Sequence, residues 1–293
     1  MNLATICREA SKAAKLTQRE EDLEQITADY TDGIGDIFRT QGAMFAAGLE
    51  KYRNRFSESI RRLSEQDEPG PVDDVWLQVW ADVSRGTSPA IAEEFAESVS
   101  VALETGGEAT VASIGLTINW ELTNPAVIDY LEREAARHVK NVDDETISLL
   151  RALIRDASRE RVSYSELASR IISRFEYMAT TAPQTHIRSR AELIAVTELG
   201  NAYEEAGMIV GRDLEADGIR MLKRWNNRGD SRVSDGCVEN GDAGAIPLKD
   251  NWPATDGTYD RQRPLRFPGC RCWQTMEVDP KFLADAKAKY GAR

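Results

Sequence analysis

Across most of the first 215 residues the apolar side chains recur every three or four positions, and at Asp217-Gly218 that recurrence stops. A period near 3.6 stacks apolar side chains on one helix face. The larger part of the chain is therefore expected to be helices packed through stripes. After the break, Ile219, Met221, Lys223 and Trp225 alternate with Arg220, Leu222 and Arg224, the two-residue period of a strand. Residues 234–268 are rich in Gly, Asp, Pro and Asn, which predicts a long ordered loop or short hairpins. The expected fold is mainly α, of the α+β class: a helical body followed by a small C-terminal β-hairpin and loop module.

The punctuation subdivides the body. Residues 3–30 and 34–64 read as two helices of an N-terminal hairpin or arm, the second striped by Ile34, Phe38, Phe45, Leu49, Phe56, Ile60 and Leu63. Glu65-Gln-Asp-Glu-Pro-Gly-Pro71 is a loop and the best boundary. A helix from Asp73 is expected to end at Gly86, and Ser88-Pro89 to open another that stops at Gly106-Gly107; serine caps orphan amides and proline is tolerated in a first turn. Ile118, Trp120 and Leu122 suggest a short extended piece. Further helix starts fall at Asn124-Pro125, at Asp143 or Asp144, and at the capping box Ser163-Tyr-Ser-Glu166, whose helix ends near Tyr177. The last body helix is expected over about Gln184–Glu215. Glu198 falls on its inner stripe with Ile194 and Ala202. A carboxylate there needs a partner, and Arg224 and Arg232 are the candidates. The expected domains are 1–70, 71–218 and 219–293.

Charge narrows the partners. The 293 residues carry a formal charge of −12, but unevenly. From Ile219 onward there are 14 basic and 10 acidic residues, against 23 and 39 before it. An acidic body disfavours broad nucleic-acid binding. Any DNA contact is expected from the C-terminal basic module, where Arg261, Arg263, Arg266 and Arg271 are closely spaced. No run approaches the roughly 18 apolar residues of a membrane span, so no membrane association is expected. The first ten residues lack the apolar core of a signal peptide. A chain made and used in a cytoplasm is expected.

Catalytic chemistry is sparse. His138 and His186 are the only histidines, and no Gly-x-Ser-x-Gly, phosphate loop or His-Glu-x-x-His occurs. Thr197 and Glu198 can be drawn as the centre of a hydrolase or transferase, but a structural carboxylate tied to an arginine is the better reading. The chain is expected not to be an enzyme. Cys237, Cys270 and Cys272 are candidates to pin the C-terminal loops. Zinc, with Asp235 or Glu239 as a fourth ligand, a disulfide, and reduced packing cysteines are all open. Trp225, Trp252 and Trp273 are expected to form a small core there. Cys7 reads as a buried helix residue.

The order of the pieces carries a resemblance. Arg190, Ala191, Ile194, Ala195, Thr197 and Glu198 lie on one helix. Lys223 and Trp225 follow, then Asp230, Arg232, Val233 and Cys237, then Pro268, Cys270, Arg271 and Cys272. This set, over residues 115–280, resembles the phage Mu protein F-like minor head proteins, also called phage head morphogenesis proteins. Two positions depart: Phe267 where the family often has His, and Val196 where it often has Arg. The resemblance implies a structural minor head protein of a tailed phage or prophage, present in few copies in the virion. Its partners would be the portal and other head proteins, in a host cytoplasm during assembly, with a role in head morphogenesis and in DNA packaging or ejection. The alternative is a zinc-stabilised nucleic-acid-binding module on a helical stalk. On the first reading, Arg190, Glu198, Trp225, Asp230 and Arg232 are structural. Residues 1–70 are then expected to drive association, and the remainder from about 115 to fold alone.

Overall fold

A computed structural model describes residues 3–54, 75–115, 121–160, 162–180, 187–257 and 261–290. Among them are seven helices and one small antiparallel sheet. The helices are α1 (Leu3–Lys51), α2 (Val75–Ser113), α3 (Pro125–Glu160), α4 (Tyr164–Thr180), α5 (Arg190–Ala216), α6 (Asp235–Asp242) and α7 (Pro280–Tyr290). The strands are β1 (Met221–Asn226), β2 (Ala245–Pro247) and β3 (Trp273–Val278). The fold is a helical body with a small C-terminal β module, as the two periodicities predict. No described helix is long and apolar enough to cross a membrane.

The helices are longer than their punctuation suggests. The expected break near residue 31 is absent from α1. α2 runs through Gly86, Pro89 and Gly106-Gly107, and α3 runs through Asp143-Asp144. A proline inside a helix costs about 3 kcal/mol, yet Val79, Val83, Ile91 and Phe95 form one buried stripe across Pro89. Burying each such side chain returns about 1.5–3 kcal/mol, so the stripe outweighs the local break. The expected capping side chains also have other uses. Ser84 donates to Asp143 and lies 3.3 Å from Ser88 Oγ. Where real ends occur, capping is observed: Asn124 Oδ1 accepts the Ala126 amide at 2.9 Å, and Ser163 Oγ accepts Glu166 N at 3.2 Å. The Glu166 carboxylate turns to Arg170 at 2.9 Å. α5 begins after Ser189, whose hydroxyl accepts the Glu192 amide at 3.0 Å. The far end of the expected arm, the Pro-Gly-Pro loop and most of the expected extended piece lie outside the described residues.

The chain forms two compact units that are not consecutive in sequence. One comprises Met1–Ala28, Ser98–Leu131 and Leu193–Arg293; the other comprises Asp29–Glu97 and Glu132–Glu192. Among its described residues the second unit is built almost wholly of helices. Tyr30, Ile34, Phe38, Phe45 and Leu49 of α1 are buried, as are Trp76 and Trp80 of α2 and Leu167, Ile171 and Phe175 of α4. Trp80 lies edge-on to Phe45 at 6.0 Å and stacks on Phe175 at 6.1 Å. His138 is a core histidine here, stacked on Phe95 at 5.0 Å and bonded to the Tyr30 hydroxyl at 3.1 Å.

The first unit holds the sheet. β1 is central, antiparallel to both neighbours, with Leu222 opposite Pro247 on β2 and opposite Glu277 on β3. One core cluster joins α2, α5 and the strands through Val111, Met208, Leu214, Met221, Leu248 and Met276. At Gly106 a Cβ would meet the Tyr203 carbonyl oxygen at 2.5 Å, so α2 and α5 meet backbone to backbone there. The unit therefore draws on segments well before residue 115, and a fragment starting at 115 lacks part of its packing.

A candidate thiol site and its latches

The inward-facing alternation of β1 sets up the site. Met221, Lys223 and Trp225 are buried, as the two-residue period predicts, which places a lysine in the interior. Its ammonium donates to the Gln262 carbonyl at 2.6 Å and lies 5.6 Å from the centre of the Trp252 ring. Trp252 meets Trp225 edge-on at 5.5 Å. These two tryptophans, Leu265 and the three cysteines form a second core cluster. Trp273 is also buried but does not belong to it.

Cys237 comes from α6, while Cys270 and Cys272 come from the loop just before β3, not from the strand itself. All three are buried, and their sulfurs lie within 4.8 Å of one another. Cys237 and Cys270 are 4.0 Å apart, well beyond the roughly 2.05 Å of a disulfide. Asp235 and Glu239 are exposed on α6 and do not join the group. Neither is the fourth ligand expected from the sequence; a helix turns those positions away from the inward face that carries Cys237. Arg266 supplies a charge instead. Its Nη1 lies 3.6 Å from the Cys237 sulfur and 2.9 Å from Ser234 Oγ, and the guanidinium also pairs with Asp256. It packs against Gly236, where any Cβ would collide with it. Hydrogen bonds from the Cys270 and Cys272 thiols, helped by Ser234 and Arg266, hold the Cys237 sulfur well below the usual thiol range. The same contacts push Cys270 and Cys272 up. Negative charge in the cluster is therefore favoured at Cys237. Three converging soft donors suit a thiophilic metal ion.

Polar side chains latch the surrounding loops. Thr197 of α5 accepts the Gly269 amide at 3.0 Å, next to Cys270. Asp230 accepts from Arg271 at 2.7 Å and from the Arg232 amide at 3.0 Å. The Arg271 bond is the main reason its carboxyl lies well below the usual range. Asn240 Oδ1 accepts the Ala254 amide at 2.9 Å. Glu198 is half-buried. The two arginines proposed for it are engaged elsewhere, Arg224 with Glu277 at 2.9 Å and Arg232 with Asp230 at 3.5 Å.

The fully buried carboxylate of α5 is Glu204, which the stripe did not single out. It accepts from Arg19 Nε at 3.2 Å and from the Gln274 amide at 2.8 Å. Burial outweighs both and pushes its carboxyl up to about 7. Glu205 pairs with Arg263 at 2.8 Å. Of the four closely spaced arginines, three are thus turned to internal work: Arg263 to Glu205 and Asn201, Arg266 to the thiol site, and Arg261 to the Trp252 carbonyl at 2.7 Å. Arg190 takes its partners in the helical unit, Glu145 at 2.8 Å and the Phe38 ring at 5.2 Å.

Comparison with protein-family models, curated proteins and solved structures returns no match.

Proposed function

We propose that this chain is a structural, non-enzymatic minor head protein of a tailed phage or prophage, associated with the portal and acting in head morphogenesis. The observation that carries the reading is that residues of the ordered resemblance hold one another, or the backbone between them, across long sequence distances. Thr197 holds Gly269, Asp230 holds Arg271, and Cys237 meets Cys270. A sequence pattern whose members are mutual structural partners supports a shared scaffold, and these side chains are committed to holding loops. Co-purification of the full chain with the portal protein of the same genome tests the assignment. Recovery of a complex is expected; an intact, folded chain that never co-elutes with portal contradicts it.

Within that reading the thiol site takes structural zinc. Tetrahedral zinc–thiolate bonds of about 2.3 Å place sulfurs about 3.8 Å apart, close to the 4.0 Å between Cys237 and Cys270. Bound metal would supply a cross-link between α6 and the loop before β3, and Arg266 would neutralise the excess thiolate charge. Metal analysis of the purified chain is expected to give one zinc per protein, lost in Cys270→Ser; zinc-free protein with all three thiols titratable contradicts this.

A further inference from the structure

Arg228, Arg232 and Arg271 sit together on the outside of the β1–α6 turn. Asp230 ties two of them, accepting from Arg271 at 2.7 Å and from Arg232 at 3.5 Å. The turn is fixed by Asn227 Oδ1, which accepts the Gly229 amide at 2.9 Å, with Gly229 at φ 69°. Arg228 and Arg232 are exposed, and Arg271 is partly so. Arg19 of α1 lies near enough to act on the same group. Partial burial and the neighbouring charges of Arg271, Arg19 and Arg232 push the Arg228 guanidinium down, with Asp230 opposing. Like charges are crowded here although the chain as a whole is acidic. Asp230 already compensates part of this charge, and an anion docking beside it would compensate more.

We propose that this turn is a docking site for the phosphodiester backbone of nucleic acid, with Arg228 and Arg232 as the principal contacts and Arg271 held in place by Asp230. Guanidinium groups present paired N–H donors that match phosphate oxygens. The exposed, open arrangement suits a chain of phosphates passing over the turn. The inference is independent of the portal assignment, because it rests on the arginines alone.

The test is fluorescence anisotropy of the full-length protein with a labelled single strand and, separately, a labelled duplex. Binding of at least one is expected at low salt, falling about 10- to 40-fold between 50 and 200 mM salt as two or three phosphate contacts are screened. The double variant Arg228→Ala/Arg232→Ala should weaken binding about tenfold or more and flatten the salt slope by about 1–2. Arg220→Ala, an exposed arginine outside the turn, should leave binding unchanged. Equal losses in Arg220→Ala and the double variant would reduce the effect to net charge and overturn the proposal. Absence of binding to either probe at 50 mM salt would also overturn it, as would calorimetric binding of inorganic phosphate without any oligonucleotide binding.

Discussion

The helix-rich unit and the thiol-bearing unit reach order by different routes. In the first, Phe45, Trp80 and Phe175 come from helices of 17 to 49 residues and meet as large buried rings, and Phe95 stacks on His138. In the second, the cysteine loops carry little regular structure. Thr197 and Asn240 hold them with single hydrogen bonds to distant partners, and Arg266 adds contacts to Ser234, Cys237 and Asp256. Stripes tolerate local insults such as Pro89, because many contacts share the load. A latch has no such reserve, since an unmade buried hydrogen bond costs about 1–3 kcal/mol by itself.

The sharpest way to break the contrast is to remove one large ring. Phe95→Ala is expected to destabilise by about 3–5 kcal/mol, measured by urea denaturation; a loss under 1 kcal/mol would mean that the stripe is not the source of order there. Next is Glu204. Its folded-state carboxyl, at about 7, lies above its ordinary 4.5, so the native protein holds a proton that the unfolded chain has released. That contribution is full below about pH 4.5 and is lost as pH rises through about 7, at up to about 1.4 kcal/mol per unit. Glu204→Gln should flatten the stability profile over that window; an unchanged slope would assign the titration elsewhere.

Smaller effects test the latches. Thr197→Val keeps the shape but removes the acceptor for Gly269, and a loss of about 1–2 kcal/mol is expected. A neutral result would show that the Pro-Gly-Cys turn is held by its cysteines alone. Asn124→Ala should cost about 1 kcal/mol through its lost cap, with little change in loop protection.

This difference also decides what the sequence reveals. Helix and strand type are legible, because periods of 3.6 and 2 are local properties; the alternation puts Lys223 on the same strand face as Met221 and Trp225, and the structure shows that face to be the buried one. Helix ends are less so. Ser84, Ser88 and Asp143 carry cap-like chemistry but bond one another, and only the fold reveals that. The cysteine grouping was anticipated from residue type, whereas Arg266 as its charge partner depends on Gly236 leaving room. Glu198 shares its helical phase with Ile194 and Ala202 yet is half-buried, whereas Glu204, about 120° around the helix from it, is buried because α5 is covered on more than one face.

Backbone hydrogen exchange on the intact protein tests most directly whether side-chain latches order the thiol module. Protection is expected at the Cys237, Trp252, Ala254, Gly269 and Cys270 amides, each of which has a defined acceptor. Thr197→Val should release Gly269 selectively, leaving the helices of the other unit protected. Rapid exchange at all five positions in the wild-type protein, with protection confined to the other helices and the strands, would contradict the account.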